Sequence, residues 1–263
     1  MKRYIFLIYF SLCVCFAFGQ YVQKPTGAKW GANEELYCNY GNQVLNNIQN
    51  ESYFSAVELL KKMISTNCKN ADRLKDYYTL AYCYNMMGES YYDELISACA
   101  EYLDLRSKGV GGSFGNSNDI YILQSLGMAA YDGKEEYESA ATLFENALKI
   151  SSKVEDKSWN EYMIGRCYHA MNNKIMASNF FKKAIQDCCK MYNTSIAQVE
   201  SRGGDYFLLG NTFYQYAKCV EYQDWLYLIY LSARCGYSEG IEEANKMDLL
   251  RIKPDFHPSK DLF

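Results

Sequence analysis

The feature that most constrains this chain is the distribution of its prolines. The sequence contains three, Pro25, Pro254 and Pro258, so the long stretch between the first two has none. Proline removes a backbone donor and clashes with the preceding helical turn, which kinks or breaks a helix. The proline-free stretch therefore permits a continuous series of helices joined by short turns.

Apolar and small residues recur through this stretch at helical spacing. In the clearest segment, residues 159–187, they are Ile164, Gly165, Tyr168, Ala177, Phe181 and Ala184. Positions at i, i+3, i+4 and i+7 lie on one face of a helix, and Asn172-Asn173 marks a turn between two such faces. The segment predicts a helical hairpin in which Gly165 and Ala177 allow close crossing while Tyr168 and Phe181 fill the space around them.

Similar hairpins are predicted along the rest of the stretch. The small residues of their first helices are Gly41, Ala81, Gly127, Gly165 and Gly210, roughly 38–46 residues apart. The second helix of the preceding unit repeats the series with Ala140, Phe144 and Ala147. The helix predicted at residues 91–105 departs from the pattern, because Ser97 stands near the expected aromatic position.

This arrangement resembles the tetratricopeptide repeat (TPR), in which a Leu-Gly-like pair and an aromatic residue are followed by an Ala, Phe, Ala series. The resemblance, to bacterial secreted or periplasmic TPR proteins, covers residues 33–247. It implies an all-α fold: a right-handed superhelical solenoid of antiparallel helical hairpins, with about five repeats and a C-terminal capping helix. The tail, residues 248–263, is expected outside the packed core or loosely folded against it.

The first nineteen residues have the pattern of a signal peptide. Lys2 and Arg3 precede an apolar run, and Ala17-Phe18-Gly19 places small residues where a signal peptidase cleaves. We expect cleavage before Gln20, an extended leader at residues 20–32, and a periplasmic, cell-surface or secreted product. A retained anchor helix is the alternative. A lipoprotein signal is disfavoured, because no small residue precedes Cys13 or Cys15.

Charge and cysteine content argue against two classes of ligand. The net charge is −4, and no Lys/Arg run forms the basic face that nucleic-acid binding requires. Nine cysteines follow residue 19, but there is no C-x-x-C spacing, and His169 and His257 are the only histidines in the sequence. A zinc site is therefore disfavoured, and most of these cysteines are predicted to pack in helix seams. No metal or cofactor is predicted.

The TPR resemblance implies a concave groove lined by first-helix residues that do not pack inward. The predicted lining residues are Tyr78, Tyr82, Tyr121, Gln124, Tyr131, Trp159, Tyr162, Arg166, His169, Phe207, Asn211 and Tyr214. An aromatic and amide-rich groove suits an extended peptide or a partner helix. The chain is therefore interpreted as a non-enzymatic scaffold or adaptor of the cell envelope with a protein or peptide partner.

Three alternatives remain open from the sequence. The aromatic stripe could bind a carbohydrate or another small ligand. An enzyme would require convergent carboxylates or a Cys–His contact, and no motif such as G-x-S-x-G or H-E-x-x-H occurs. A weakly capped last hairpin could also dock to a second copy of the chain.

Overall fold

A computed structural model describes residues 31–69, 71–111, 115–251 and 255–263. The predicted signal peptide, residues 1–19, lies outside this range, as does most of the predicted leader, residues 20–32. Within the described residues every regular element is a helix, which confirms the all-α prediction. None of the described helices is long and apolar enough to cross a membrane. The chain divides into two compact units, Met1–Gly112 and Ser113–Phe263.

Unit 1 contains two helical hairpins within its described residues. Its helices are α1 (Ala32–Gln49), α2 (Tyr53–Ser65), α3 (Arg73–Met87) and α4 (Tyr92–Ser107), with a 3₁₀ turn (Glu89–Tyr91) before α4. Each helix packs against the next along the chain. Val44, Leu60 and Leu95 are buried between them, as the predicted helical stripes require.

A buried polar cluster joins the two hairpins of unit 1. The Tyr37 hydroxyl donates a hydrogen bond of 2.7 Å to Asp76 Oδ1 and accepts one of 3.1 Å from the Asp72 amide. Arg73 Nη1 donates to Asp76 Oδ2 at 3.0 Å. Burial and the Asp76 carboxylate together raise the pKa of Tyr37. Because all three side chains are paired, their polar atoms tie α1 to α3 without an unsatisfied charge.

Unit 2 contains three hairpins and a final helix within its described residues. Its helices are α5 (Ser117–Met128), α6 (Tyr137–Ile150), α7 (Val154–Ala170), α8 (Lys174–Met191), α9 (Ile196–Arg202), α10 (Phe207–Ala217), α11 (Tyr222–Arg234) and α12 (Ser238–Lys246). A π-helical turn, Ala129–Gly133, ends α5. The hairpins are α5 with α6, α7 with α8, and α10 with α11, and α8 also packs on α10.

The predicted glycine–aromatic packing of unit 2 is confirmed. A Cβ atom on Gly165 would lie 2.7 Å from the Phe181 ring, and one on Gly127 would lie 2.8 Å from the Phe144 ring. Both rings are fully buried. Since real Cβ atoms do not approach a carbon this closely, glycine at these positions sets the distance between the paired helices.

The aromatic residue of α4 lies at a different position from the one expected near Ser97. Tyr102 is buried and follows the buried Ala98 by four residues, which is the spacing of Phe144 to Ala140. Ser97 itself is exposed. The 3₁₀ turn Glu89–Tyr91 lengthens the connection before α4, and this insertion moves the register beyond the predicted position.

The tail is more firmly packed than expected. Leu249 and Leu262 are buried in the core of unit 2, and the Phe256 ring packs on Tyr227 and Tyr230 at centroid distances of 5.3 and 5.0 Å. The expectation that the tail lies outside the core is therefore wrong for these residues. Its prolines prevent a helix, but they do not prevent apolar side chains from docking on the neighbouring helices.

Candidate binding face of the second unit

The predicted groove residues are not all accessible. Those that are buried, each with 6% or less of its surface exposed, are Tyr78, Tyr82, Tyr121, Gln124 and Tyr162. Helical spacing shows which residues share one face of a helix. It does not show which part of that face a neighbouring helix covers.

Contacts with neighbouring helices explain three of these burials. The Tyr82 ring packs edge-on against Tyr53 of α2 at 6.2 Å, and Tyr162 packs on Phe181 of α8 at 6.3 Å. Gln124 Nε2 donates a hydrogen bond of 3.1 Å to Asn160 Oδ1, which joins α5 to α7. These side chains hold helices together, and this differs from the open lining that was predicted.

The remaining predicted residues reach the surface, and all of them belong to unit 2. They are Tyr131, Trp159, Arg166, His169, Phe207, Asn211 and Tyr214. We call Tyr131, Trp159, Arg166, Asn211 and Tyr214 the first-helix face, because helices α7 and α10 and the end of α5 present them. All five residues lie within Ser113–Phe263, so this face is a feature of unit 2.

Arg166 is the central charge of the first-helix face. Its guanidinium carbon lies 4.5 Å from the centroid of the Tyr131 ring and 5.8 Å from that of Tyr162. Such cation–π contacts hold the plane of a guanidinium in place while its edge keeps donors to offer. Nη1 reaches Met163 Sδ at 3.7 Å. Arg166 forms no ion pair with a carboxylate among the described residues, and its hydrogen-bonding oxygen neighbours are the hydroxyls of Tyr131 and Tyr162.

A buried polar atom lies beside this arginine. Asn211 on α10 shares a hydrogen bond with the Tyr162 hydroxyl, but its Oδ1 atom is buried and has no hydrogen-bond partner among the described residues. A buried acceptor without a partner costs about 1–3 kcal/mol. The Tyr162 hydroxyl therefore lies between a buried amide on α10 and the Arg166 guanidinium on α7.

One end of the face is positively charged. The pKa of His169 is lowered, first by burial and then by the nearby charges of Lys218 and Lys174. The Lys218 ammonium lies 4.5 Å from the Tyr214 ring centroid. These groups are close together on a chain whose net charge is negative, so this end attracts anionic groups.

Sequence reasoning missed one aromatic residue beside this face. Tyr237 precedes α12, and its ring contacts Phe207 at 5.4 Å and Tyr214 at 5.6 Å. Its Cβ atom lies 2.8 Å from where a Cβ on Gly210 would be. The turn residue Gly236 is the one sequence signal near Tyr237, and Tyr237 lies outside the first helices that carry the predicted lining.

Metal-ligating groups and thiols were the candidate chemical groups of this chain. No group of three His, Cys, Asp or Glu side chains among them converges to hold a metal ion. Burial raises the pKa of Cys167 to about 12 and raises those of Cys83, Cys99 and Cys188 as well. These thiols stay protonated at neutral pH, and a protonated thiol is a poor nucleophile.

Solved structures share this arrangement of hairpins. The putative kinesin light chain TPR-like repeats of Podosopora anserina match with a TM-score of 0.53 and 14% identity over 86% of this chain and 100% of that one. MamA matches with a TM-score of 0.52 and 13% identity over 83% of this chain and 97% of that one. The fold is that of TPR-like helical repeats. No family model and no curated protein sequence matches the chain.

The TPR-like fold explains where the first-helix face lies. Helices α5, α7 and α10 are the first helices of consecutive hairpins in unit 2, and the face is built from residues of α7 and α10 and the turn that ends α5. At identities of 13% and 14% these likenesses show the fold alone. The chemistry of the face has to be argued from its own residues.

Proposed function

We propose that this chain is a non-enzymatic interaction scaffold that holds a segment of a partner protein on the first-helix face of unit 2. The observation that carries the proposal is Arg166, a charged side chain fixed between two tyrosine rings with no ion pair among the described residues. A folded protein gains little from such a group by itself, since its desolvation is not repaid by a partner charge. A bound segment would supply that partner.

The neighbours of Arg166 favour a protein segment. Main-chain carbonyl groups and carboxylates can accept from the guanidinium. Trp159 and Tyr214 are aromatic residues that gain contact area at a low cost in side-chain entropy. The combination of rigid rings with a fixed donor matches the recognition of an extended chain.

Site-specific photo-crosslinking tests this proposal. A photoreactive phenylalanine analogue replaces Tyr214 on the face or, as a matched control, Ser139 on the exposed side of α6. In the native cell we expect a discrete protein adduct from position 214 and none from position 139, with the adduct lost in Arg166→Met. Identical adducts from both positions would contradict the proposal. Glycan adducts at position 214 would instead support a carbohydrate-binding protein.

Export to the cell envelope is part of the proposal and rests on Lys2, Arg3 and the Ala17-Phe18-Gly19 pattern. Intact mass spectrometry of the chain recovered from a fractionated native host gives its first residue. We expect a mature form beginning at Gln20 in the envelope or the medium. A form that retains residues 2–18 and remains in the cytoplasm would contradict export without affecting the binding proposal.

A further inference from the structure

Residues 255–263 cross unit 2 without forming a helix or a strand. Their anchor is Leu262, of which 2% is exposed. At the other end the Phe256 ring packs against Tyr227 and Tyr230 of α11. Two apolar side chains six positions apart are therefore bound in separate places, with an irregular chain between them.

Side chains of three helices hold the main chain of this segment. The Tyr216 hydroxyl donates a hydrogen bond of 2.9 Å to the Leu262 carbonyl. The Asp224 carboxylate accepts from the Ser259 amide at 2.8 Å and from the Ser259 hydroxyl at 2.7 Å. The Lys182 ammonium donates to the Asp261 carbonyl. This combination of polar side chains on main-chain groups and pockets for apolar side chains is how proteins bind extended peptides.

The surface continues past the end of the segment. Phe263 is 39% exposed and lies beside an open cavity of about 530 Å³ between α8 and the start of α9. Ile185, Cys189 and Ile196 are among its lining residues. The segment therefore fills only part of this groove.

This groove is distinct from the first-helix face. In a helix of 3.6 residues per turn, Tyr216 lies about 140° around α10 from Asn211. Tyr216 and Phe213, which contacts Phe263 at 6.0 Å, face the segment, whereas Asn211 and Tyr214 belong to the first-helix face. The two surfaces occupy different sides of α10.

We propose that the surface of α8, α10 and α11 is a second peptide-binding site, and that residues 255–263 are its intramolecular ligand. Its external ligand is an extended protein segment with an aromatic residue six positions before a leucine, as in Phe256 and Leu262. Such a segment binds by displacing the tail. Competition from the tail therefore raises the concentration of partner that is needed for binding. This proposal does not depend on the function proposed for the first-helix face.

A labelled peptide tests the site in the full chain. Leu262→Asp places a charge in the apolar pocket and releases the tail, which opens the groove. A fluorescein-labelled peptide with the sequence of residues 255–263 should bind this variant at least tenfold more tightly than it binds the wild-type chain, measured by fluorescence anisotropy. Adding Tyr216→Phe should weaken binding about fivefold, the effect of one lost hydrogen bond. The same peptide carrying Leu262→Asp should bind at least tenfold more weakly.

Two further measurements keep the test decisive. Ser259→Pro removes the amide that donates to Asp224, and it releases the tail without a buried charge. Equal peptide binding to the wild type and to both releasing variants, or no binding to folded releasing variants, would overturn the proposal. In the wild type, hydrogen exchange of the Ser259 and Leu262 amides should be much faster than that of the α10 amides. Equally slow exchange would show that the tail opens only on global unfolding and would also overturn the proposal.

Discussion

Two arginines show how differently the two units use the same side chain. In unit 1, Arg73 donates to Asp76 Oδ2 at 3.0 Å, to the Met63 carbonyl at 2.8 Å and to the Thr66 carbonyl at 2.5 Å. In unit 2, Arg166 meets two tyrosine rings and a methionine sulfur. Both guanidiniums lie over tyrosine rings. Arg73 is paired with a carboxylate and two main-chain carbonyls, whereas the oxygen acceptors of Arg166 are the uncharged hydroxyls of Tyr131 and Tyr162.

The difference separates a structural arginine from one available to a ligand. A charge whose hydrogen bonds are satisfied internally fixes the register of its helices, and removing either partner leaves the other charge buried alone. A guanidinium that contacts tyrosine rings and hydroxyls but no carboxylate has five N–H donors and no charged partner, so it can still bind an external anionic acceptor. Unit 1 is therefore expected to lose stability, and unit 2 to lose binding, when the respective arginine is replaced.

The largest effect is expected from Asp76→Ala in unit 1. This change leaves the Arg73 guanidinium and the Tyr37 hydroxyl without their shared buried acceptor, so the free energy of unfolding should fall by about 3–5 kcal/mol. Urea unfolding followed by circular dichroism measures it, with hydrogen exchange of the α3 amides to assign the loss to unit 1. Asp104→Ala is the matched control, because Asp104 pairs with Lys108 at the surface, and it should cost less than about 0.5 kcal/mol.

A smaller but more direct comparison replaces each arginine by methionine. Arg73→Met should lower the free energy of unfolding by about 2 kcal/mol, because Asp76 loses a charged donor. Arg166→Met should lower it by only about 1 kcal/mol, since it removes cation–π contacts and hydrogen bonds to tyrosine hydroxyls but leaves no buried carboxylate unpaired. The measurement is urea unfolding of both variants beside the wild type. Equal losses would mean that Arg166 is also structural, and the first-helix face would lose its main support.

The sequence was sufficient to predict the helical repeat, but not every side chain that packs in its core. Gly165 and Phe181 could be paired from spacing alone, because a glycine and a buried ring in adjacent helices form one local unit. Tyr102 could not be placed, because the 3₁₀ turn Glu89–Tyr91 changes the register. The docking of Leu262 was also out of reach, since its contact with Tyr216 spans 46 residues and leaves no periodic signal.

For the candidate site, the sequence predicted which residues share a helix face, but not which of them are exposed. Spacing placed Arg166 and Asn211 in the groove lining, and both are half-buried, but it placed the buried Tyr162 and Gln124 there as well. Their burial depends on Phe181 and Asn160, which belong to other helices. A single helix fixes the direction of its side chains, whereas the neighbouring helices decide which of those directions stay open.

Glu161 extends the comparison to buried carboxylates. The Asp76 carboxylate accepts hydrogen bonds from Tyr37 and Arg73. Glu161 on α7 is 8% exposed, and its Oε2 atom is buried without a hydrogen-bond partner among the described residues. Burial first and the Asp187 carboxylate second raise the pKa of Glu161 to about 7, against the opposing effect of Lys183, Lys190 and Lys157. The paired carboxylate should stabilise its unit, and the unpaired one should make its unit sensitive to pH.

The sign of that sensitivity follows from proton binding. The folded state holds the Glu161 proton more tightly than the unfolded chain, whose glutamates titrate near 4.3. The contribution of this group to stability should therefore be greatest at low pH, fall as pH rises from about 4.5 to about 7, and stay level above that range.

Glu161→Gln removes the charged form. Its free energy of unfolding should exceed that of the wild type by about 1–2 kcal/mol at pH 8, while the two values converge near pH 5. Urea unfolding at both pH values, followed by Trp159 and Trp225 fluorescence in unit 2, measures this difference, and the exposed Glu138→Gln is the control. If the gain at pH 8 were absent, or equal to that of Glu138→Gln, Glu161 would be solvated in the folded protein and the contrast with Asp76 would not hold.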